Sequence, residues 1–448
     1  MKQNLAEGKL IPTLLKFTFP IMAALFLQVA YGAVDLLIVG QYGTVGDVSG
    51  VTIGSQMMQT ITNICTGVAM GTTILLGQAI GSNKSEEGGK VMGASIALFG
   101  LIAGVLTITL IVLNGTLVSA MQTPVESIEQ TSSYLLICSI GTIFIIAYNV
   151  LGSIFRGIGD SKTPLIAVGI AFICNVIGDI LLVAIFKMGA TGAAIATVSA
   201  QAISVFISLL LIRKKTLPFA FHVSYIRWHM DYIHKILVLG VPIGLQSGLV
   251  SISFLAITAI VNGMGVIVSA GVGVTEKIMG FIMLVSSSFM QSLSAFVAQS
   301  HGAGNYKRSK QAMYYSIGIS FTISLFMSYL CAFQGALLTS IFVTDADVAA
   351  ASIMYLKAYA FDTIFVTVMF CMTGYFNGIG KTNFVMVQGV VGAFCVRIPM
   401  AFFISRIPGA TLFMVGLATP ASTILQIIMC IAYYQYLKKQ DRMKLNLN

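Results

Sequence analysis

Charged residues are scarce in this chain. Asp, Glu, Lys and Arg together make up 9% of its 448 residues, against roughly 25% in an ordinary soluble domain. Hydrophobic residues make up 57%, and the mean hydropathy is +0.93. A water-soluble fold has too little polar surface to cover this much apolar side chain. The composition therefore excludes a soluble globular protein and indicates a protein embedded in a lipid bilayer.

Residue types that carry most enzyme chemistry are also few. The four histidines lie in predicted loops, and the seven cysteines show neither a CxxC motif nor Cys/His metal spacing. Two glycine patterns, GVGV at 271–274 and GAGN at 302–305, are better interpreted as helix ends than as phosphate loops. We therefore expect no enzyme, no receptor with an appended catalytic domain and no organic cofactor.

Apolar stretches recur along the whole chain, each long enough to cross a hydrocarbon core of roughly 30 Å as a helix. Because lipid offers no hydrogen-bond partners, the backbone must satisfy itself within each span. The pattern predicts an all-α polytopic membrane protein with 12 transmembrane helices. The predicted spans are residues 14–39, 51–79, 91–113, 131–155, 164–186, 190–212, 236–262, 268–299, 312–336, 351–376, 383–405 and 411–436.

A net charge of +10 is compatible with a nucleic-acid partner, so the distribution of the basic residues matters. Twenty Lys and Arg residues lie in the termini and in loops that follow even-numbered spans, while the opposite loops hold only Lys187 and Arg406. This bias follows the positive-inside rule. We therefore predict a multi-pass protein of the cell (plasma or inner) membrane with both termini in the cytoplasm and no nucleic-acid partner.

The two halves of the sequence repeat one another. At an offset of 221 residues, Gln78 aligns with Gln299, Gly81 with Gly302, and the Gly-Ile-Gly of 157–159 with that of 378–380. Pro20 and Pro242 align at an offset of 222. Each half holds an even number of spans, so the repeats run parallel. We predict two pseudo-symmetric six-helix bundles, 1–212 and 236–448, around a central cleft and joined by a cytoplasmic linker, 213–235; such a fused pair could function as a monomer.

Ionisable residues inside spans are costly in lipid, so each is a functional candidate. In the first half, Asn175 and Asp179 lie four residues apart on one helix face, and Thr197 falls at a similar depth. With Asp35 they offer carboxylate, amide and hydroxyl oxygens, and the one basic residue in this half's predicted spans, Lys16, lies at the cytoplasmic end of the first. Two neighbouring buried carboxylates cannot both stay ionised without a cation. The set predicts a proton or sodium coupling site, unless each aspartate only hydrogen-bonds a helix kink.

The second half differs, because its five ionisable span residues carry both signs. They could neutralise one another internally, or two of them could face the cavity and attract a cationic substrate or bind the coupling ion. The five residues are Glu276, Lys277, Lys357, Asp362 and Arg397, and the two acids are Glu276 and Asp362. Gln28 and Tyr31 precede Asp35 by seven and four residues, on the same helix face, and complete the substrate-cavity candidates.

Three segments carry a resemblance to a known family. FRGIGDSKTPL at 155–165, its echo FNGIGKTNF at 376–384, and MGATGAAIATVSAQ at 188–201 resemble the multidrug and toxic compound extrusion (MATE) transporters, and the likeness extends over essentially the whole chain. The resemblance implies two six-helix bundles around a central cleft. It also implies a secondary active antiporter that exports amphipathic, often cationic, drugs or toxic compounds in exchange for H⁺ or Na⁺ by alternating access.

The resemblance also assigns residues. In the prokaryotic branch with a cation site in the first bundle, the matching positions read Asp35, Asn175, Asp179 and Thr197, which implies Na⁺ or proton binding there. Pro20 corresponds to a bending point of the first helix, and Gln28 to a polar cavity position. Other branches use acidic residues of the second bundle, where Lys277 and Arg397 depart from a simple acidic pocket.

A second function stays open, because flippases for a lipid-linked saccharide or another amphipathic lipid are similar in architecture. Such a flippase predicts a strongly cationic cavity for pyrophosphate groups, whereas the first bundle offers only acids.

Overall fold

A computed structural model describes residues 5–447, with the side chains of Ser85 and residues 441–447 left out. Three of the twenty basic residues assigned to the cytoplasmic side are affected. Lys2 lies outside this range, and the side chains of Arg442 and Lys444 are among those not described. Within 5–447 every regular element is helical. Strands are absent from this range, as expected where each segment must pair its own backbone groups in lipid.

The first half of the chain forms eight α-helices in the described residues. They are α1 (Leu10–Tyr42), α2 (Val45–Gly81), α3 (Ser85–Val112), α4 (Asn114–Ala120), α5 (Ile128–Ile140), α6 (Thr142–Ile158), α7 (Lys162–Asp179) and α8 (Gly189–Lys214). The second half continues with α9 (Met230–Asn262), α10 (Val266–Gly302), α11 (Tyr306–Phe333), α12 (Gly335–Thr339), α13 (Ala346–Gly378), α14 (Thr382–Val390), α15 (Ile398–Ser405), α16 (Leu412–Gly416) and α17 (Ala418–Leu447).

Two of the spans contain a π-helical segment, with one hydrogen-bond register shifted from the ordinary α-helix. Ile180–Ile185 follows α7 directly, and Val391–Arg397 joins α14 to α15. Both lie in the fifth span of their half of the sequence. Insertions of this kind widen the helix and are frequent at functional sites.

The predicted count of transmembrane helices is confirmed. Eleven helical segments in the described residues are long and apolar enough to span a membrane, and the pair Val125–Ile140 and Thr142–Ile158, bent by 54° at Gly141, makes twelve when it is counted as one span. Each predicted span overlaps one of them. Several helices extend past the apolar stretch, as α2 does to 37 residues, because hydropathy marks the lipid-facing stretch and not the polar helix ends.

The described residues form two compact units. Unit one comprises the chain up to Gly244 together with Ala298–Tyr306, and unit two comprises Leu245–Val297 and the chain from Lys307 onward. Unit one therefore includes the first half of α9 and the last turns of α10. The division into bundles at residues 212 and 236, inferred from the sequence repeat, stays a prediction.

Glycines explain why the first half of α9 packs within unit one. Gly67 and Gly71 of α2 face Gly240 and Gly244 of α9, and each pair has the small-xxx-small spacing that lets membrane helices approach closely. A Cβ atom on Gly71 would lie 2.3 Å from the carbonyl oxygen of Ile236. No larger residue fits at this crossing without separating the two helices.

A second close contact joins the end of α2 to the end of α10, and it follows the sequence repeat. A Cβ atom on Gly81 would lie 2.0 Å from the carbonyl oxygen of Gln299, and one on Gly302 would lie 2.3 Å from that of Gln78. These are the residues that align at the offset of 221. The contact is therefore reciprocal between equivalent positions of the two halves.

The segments that carry the family resemblance are helix ends in the structure. Gly159, with φ +85°, closes α6, and Asp160 then accepts hydrogen bonds from the backbone amides of Lys162 and Thr163, both at 3.1 Å. Lys215 forms an ion pair with Asp160. Burial alone would raise the pKa of Asp160, but the hydrogen bonds from Lys215 and Thr163 outweigh it and hold the pKa below its usual range.

The start of α8 depends on glycine for a similar reason. Gly189 has φ +53°, and a Cβ atom there would lie 2.2 Å from Asp47 Oδ1. Asp47 also accepts a hydrogen bond from the backbone amide of Ala190 at 2.8 Å. A side chain at position 189 would both strain the backbone and displace the carboxylate that holds the helix start.

Candidate ion-coupling site

The four residues predicted for cation coupling come together inside unit one. Asp35 on α1 is 4% exposed, Asn175 and Asp179 on α7 are 0% exposed, and Thr197 on α8 is 9% exposed. Asn175 Nδ2 donates to Asp35 Oδ1 at 3.2 Å, and Thr197 Oγ1 donates to Asp35 Oδ2 at 3.0 Å. Each oxygen of the Asp35 carboxylate is therefore held by a side chain from a different helix.

Asp179 is the exception in this cluster. Neither of its carboxyl oxygens accepts a hydrogen bond from any described donor, and Asn175 Oδ1 also lacks a donor. The titratable neighbour that acts on Asp179 is the Asp35 carboxyl group, close enough for a hydrogen bond if one of the two carries a proton. A fully buried carboxylate without a donor or counter-charge is strongly disfavoured. The arrangement therefore calls for a proton or a small cation between the two aspartates.

The backbone of α7 contributes to this position. Asp179 is the last α-helical residue, and the π-helical segment Ile180–Ile185 begins at the next residue. The polar side chains Asn175 and Asp179 stay on one face, four residues apart, up to that point. The change from α-helical to π-helical hydrogen bonding therefore occurs directly beside the unpaired carboxyl group. Such π-helical insertions are frequent at functional sites.

The two substrate-cavity candidates on α1 have different neighbours. Tyr31 donates its hydroxyl to the backbone carbonyl of Thr197 at 3.2 Å, so it belongs to the same network as Asp35. Gln28 instead donates to the hydroxyl of Tyr148 on α6. Sequence reasoning missed Tyr148 and its neighbour Asn149, which accepts from Thr66 on α2 at 3.0 Å. Two adjacent polar residues in an otherwise apolar span were the signal that could have identified them.

In the part of the chain that the structure describes, no basic side chain forms an ion pair with Asp35 or Asp179. The three ion pairs formed among the described residues, Lys84–Glu87, Lys90–Glu86 and Lys215–Asp160, all lie at helix ends. The sequence places Arg156 in a loop, whereas in the structure it lies in the last turn of α6. There it donates a hydrogen bond to Ser153 Oγ at 2.8 Å. It does not pair with either aspartate.

Unit two holds a different buried pair. Asp362 on α13, 1% exposed, accepts a hydrogen bond from Thr423 Oγ1 at 2.6 Å. Arg397 ends the second π-helical segment and is 5% exposed. It donates from Nη1 to Ser253 Oγ at 3.2 Å, and its guanidinium carbon lies 4.6 Å from the centre of the Phe254 ring.

The internal ion pairs that the sequence allowed in the second half are not formed in the described part of the chain. None of the five residues lies within 4.0 Å of an oppositely charged group. Lys277 and Lys357 are exposed, and Glu276, also exposed, accepts a weak 3.4 Å hydrogen bond from Thr258. Arg397 is turned toward Ser253 and Phe254, which is why it makes no direct pair with Asp362.

Comparison with known proteins places the chain in a family. The MatE family model matches residues 20–181 and again residues 242–403, two copies displaced by the 222 residues that separate Pro20 and Pro242. Among curated relatives, the chain is 26% identical to "Probable multidrug resistance protein YpnP" of Bacillus subtilis (strain 168), over 97% of this chain and 96% of that protein. It is 24% identical to "Probable multidrug resistance protein NorM" of Bacillus anthracis, over 90% of each chain.

The fold has solved counterparts. A crystal structure described as MATE in complex with MaL6 superposes with a TM-score of 0.92 at 18% identity, covering 98% of this chain and 99% of that chain. At this identity the likeness concerns the fold. The two family matches span most of the sequence, and they fall on both repeats that carry the buried polar clusters. The chain therefore belongs to the MatE family, the multidrug and toxic compound extrusion transporters, and is a membrane transporter and not an enzyme.

Proposed function

We propose that this transporter is a cation-coupled antiporter, which exports amphipathic, often cationic, compounds in exchange for H⁺ or Na⁺. Curated relatives that match nearly the full length of the chain are named multidrug resistance proteins. The observation that carries the coupling proposal is the buried Asp35–Asp179 pair, which has no counter-charge and an Asp179 carboxyl group without a donor.

The hydrogen bonds of Asp35 and Asp179 differ, and they suggest different roles for the two carboxyl groups. Asn175 and Thr197 hold both oxygens of Asp35, so Asp35 is oriented as a fixed negative charge. Asp179, with both oxygens open, is the group that takes the proton or joins the cation. Oxygen donors of this kind suit either ion. Two carboxyl groups with one amide and one hydroxyl carry little negative charge, which suits a monovalent ion.

Coupling requires that the ion bind one conformation more tightly than the other. Asp35 lies on α1, while Asp179 and Thr197 lie on α7 and α8. An ion between the carboxyl groups pulls α1 toward the other two helices, and its release lets them separate by charge repulsion. Pro20, fifteen residues before Asp35 in α1, lacks the amide that would bond the Lys16 carbonyl, so α1 bends there most easily. We assign Pro20 as the hinge.

The remaining assignments complete the proposal. We assign Gln28 and Tyr31 as substrate-contact residues of unit one, and Glu276 and Asp362 as substrate-contact residues of unit two. Both termini face the cytoplasm, by the excess of basic residues in the loops on that side. The two fused repeats form a complete unit, so the transporter works as a monomer.

The test is uptake of a fluorescent organic cation into inside-out membrane vesicles, driven separately by an imposed proton gradient and an imposed sodium gradient. Wild type is compared with Asp179→Asn and with Glu129→Gln, which removes an exposed carboxylate from the start of α5. We expect one gradient to accelerate uptake at least about tenfold, in the usual range for coupled sites. We expect this acceleration to vanish in Asp179→Asn and to persist in Glu129→Gln.

Each result has a defined meaning. The gradient that drives uptake in wild type identifies the ion. Full gradient-driven uptake in a well-inserted Asp179→Asn protein would move the coupling site out of unit one. Absence of gradient-driven uptake in wild type would contradict antiport and favour a lipid-linked substrate.

A further inference from the structure

The side chain left unexplained by the proposed function is Arg397. The predicted spans of the second half contain three basic residues, Lys277, Lys357 and Arg397, and Arg397 is the one that is buried. A buried guanidinium in a membrane protein is costly unless hydrogen bonds and a counter-charge compensate it. The described residues supply little of either.

The residues around Arg397 do not satisfy all of its N–H donors. Guanidinium has five N–H donors in a fixed planar fork. Nη1 bonds the neutral hydroxyl of Ser253, which itself donates to the carbonyl of Val250 at 2.7 Å and so turns a lone pair toward the arginine. Phe254 covers one face of the fork. Nε has no partner although it is fully enclosed. The fork is thus positioned by its neighbours but not satisfied by them.

The charge that faces Arg397 in unit two is Asp362, and it is near without being paired. The two side chains lie within electrostatic range, but no oxygen of Asp362 lies within the 4.0 Å that an ion pair needs. Asp362 bonds Thr423 instead. The hydroxyl-bearing rings of Tyr355 and Tyr359 lie in the same part of unit two, with their centres 5.1 Å apart. Unit two therefore holds two opposite charges that act on one another without pairing, close to two buried tyrosine rings.

We propose that Arg397 is an anion-recognising residue for substrate, and that with Asp362 it selects amphipathic compounds that carry a carboxylate as well as a cationic group. The proposal rests on the transport activity proposed above and names the substrate class of unit two. A purely cationic compound meets an uncompensated guanidinium, and a purely anionic one meets Asp362. A zwitterion satisfies both charges, and its carboxylate matches the planar fork of the arginine in a bidentate manner.

The experiment uses two dyes that share a cationic ring system and differ in whether one carboxyl group is free or esterified. Rhodamine B carries a cationic xanthene and a free carboxylate, and in its ethyl ester the carboxylate is masked. Initial uptake rates of both are measured over a concentration series with the full-length protein in proteoliposomes, under the gradient that drives transport. We expect wild type to show a KM for rhodamine B at least about tenfold below that for the ester, the size of one charge-assisted recognition.

The variants separate recognition from structure. Arg397→Gln is expected to raise the KM for rhodamine B about tenfold and to change that for the ester less than about twofold, whereas Arg397→Lys retains part of the preference. Arg406→Gln is the matched control, because Arg406 also lies over an aromatic ring, Phe402 at 5.1 Å, but is exposed at a helix end. It should leave both KM values unchanged.

Several outcomes would overturn the proposal. Equal KM values for the two dyes in wild type would do so without any variant, and so would an equal loss for both dyes in Arg397→Gln. Chloride is then replaced by gluconate, and a preference that changes with chloride would mean that the arginine holds an inorganic anion instead. Failure of the antiport proposal is a different result, namely no gradient-driven uptake of either dye.

Discussion

The two units of this transporter bury their charges in different ways. Unit one holds Asp35 and Asp179 together, with amide and hydroxyl donors but no basic group. Unit two holds one fully buried carboxylate, Asp362, and a buried guanidinium, Arg397, in the same part of its core. The first arrangement lacks a positive charge that an ion can supply. The second holds one charge of each sign, which act on one another without forming an ion pair.

This difference teaches that a sequence repeat does not imply a functional repeat. The two halves share span number, glycine contacts and even π-helical segments in their fifth spans. The residues at those segments nevertheless differ in charge. Asp179 immediately precedes the first π-helical segment, while Arg397 ends the second. The backbone is duplicated and the chemistry is divided between the copies.

The largest expected effect comes from removing one carboxylate from each unit. Asp35→Asn should abolish gradient-driven uptake, because the proposed ion is held between two carboxyl groups and Asp179 alone does not form that site. Asp362→Asn should keep most of the coupling and change uptake by only a few-fold, because Asp362 lies outside the Asp35–Asp179 pair and its hydrogen bond is with Thr423. The measurement is the ratio of uptake rates with and without the ion gradient, where coupling of 1–3 kcal/mol corresponds to roughly 5–150-fold. The reverse order of effects would break the comparison between the units.

A smaller effect is expected from the matching hydroxyl donors. Thr197→Val removes the hydrogen bond to Asp35 Oδ2, and Thr423→Val removes that to Asp362 Oδ1. A hydrogen bond to a charged group contributes about 1.5–3 kcal/mol. We expect Thr197→Val to shift the ion concentration for half-maximal transport by about tenfold, and Thr423→Val to lower the melting temperature with that concentration unchanged. An unchanged ion dependence in Thr197→Val would argue that this threonine only packs α8 against α1.

The smallest effect concerns the loops that the resemblance is based on. The first contains Asp160, paired with the half-exposed Lys215, and the second has Lys381 at the equivalent position. The pKa of Asp160 is lowered in the folded protein, so its stabilisation is present above the unfolded value of about 3.9 and is lost as the pH falls through the folded value.

Asp160→Asn should therefore lower the melting temperature in detergent at pH 7 by about 1–2 °C, as expected for a partly exposed ion pair. The difference from wild type should shrink as the pH falls below about 4. Lys381→Gln is the control, with no such pH dependence expected. A difference that stays constant down to acid pH would show that the asparagine acts through the backbone hydrogen bonds and not through charge.

Much of the architecture was predictable from the sequence. Apolar runs marked all twelve spans, with the fourth bent at Gly141. They could do so because the free-energy cost of placing a side chain in lipid depends mainly on that residue itself. The repeat located equivalent positions in the two halves, and the close contact of Gly81 and Gly302 agrees with it. Asp35, Asn175, Asp179 and Thr197 were identified because ionisable and amide side chains are rare in such spans.

Other features were decided only when the helices packed. Hydrogen-bond partners depend on helix rotation and side-chain rotamers, and neither is encoded in local hydropathy. The sequence therefore could not say that Asp35 is held on both oxygens while Asp179 is left open, that Gln28 turns to Tyr148, or that Arg397 rests on Phe254.

The sequence by itself determined that the chain crosses a membrane twelve times in two related halves, because burial in lipid is a property of each segment alone. The tertiary structure decided which buried charges meet. It brought two aspartates together without a cation in unit one, and it placed a guanidinium near an aspartate without pairing them in unit two. Charge interactions fall off with distance, so only the packing of distant segments fixes which of these groups interact.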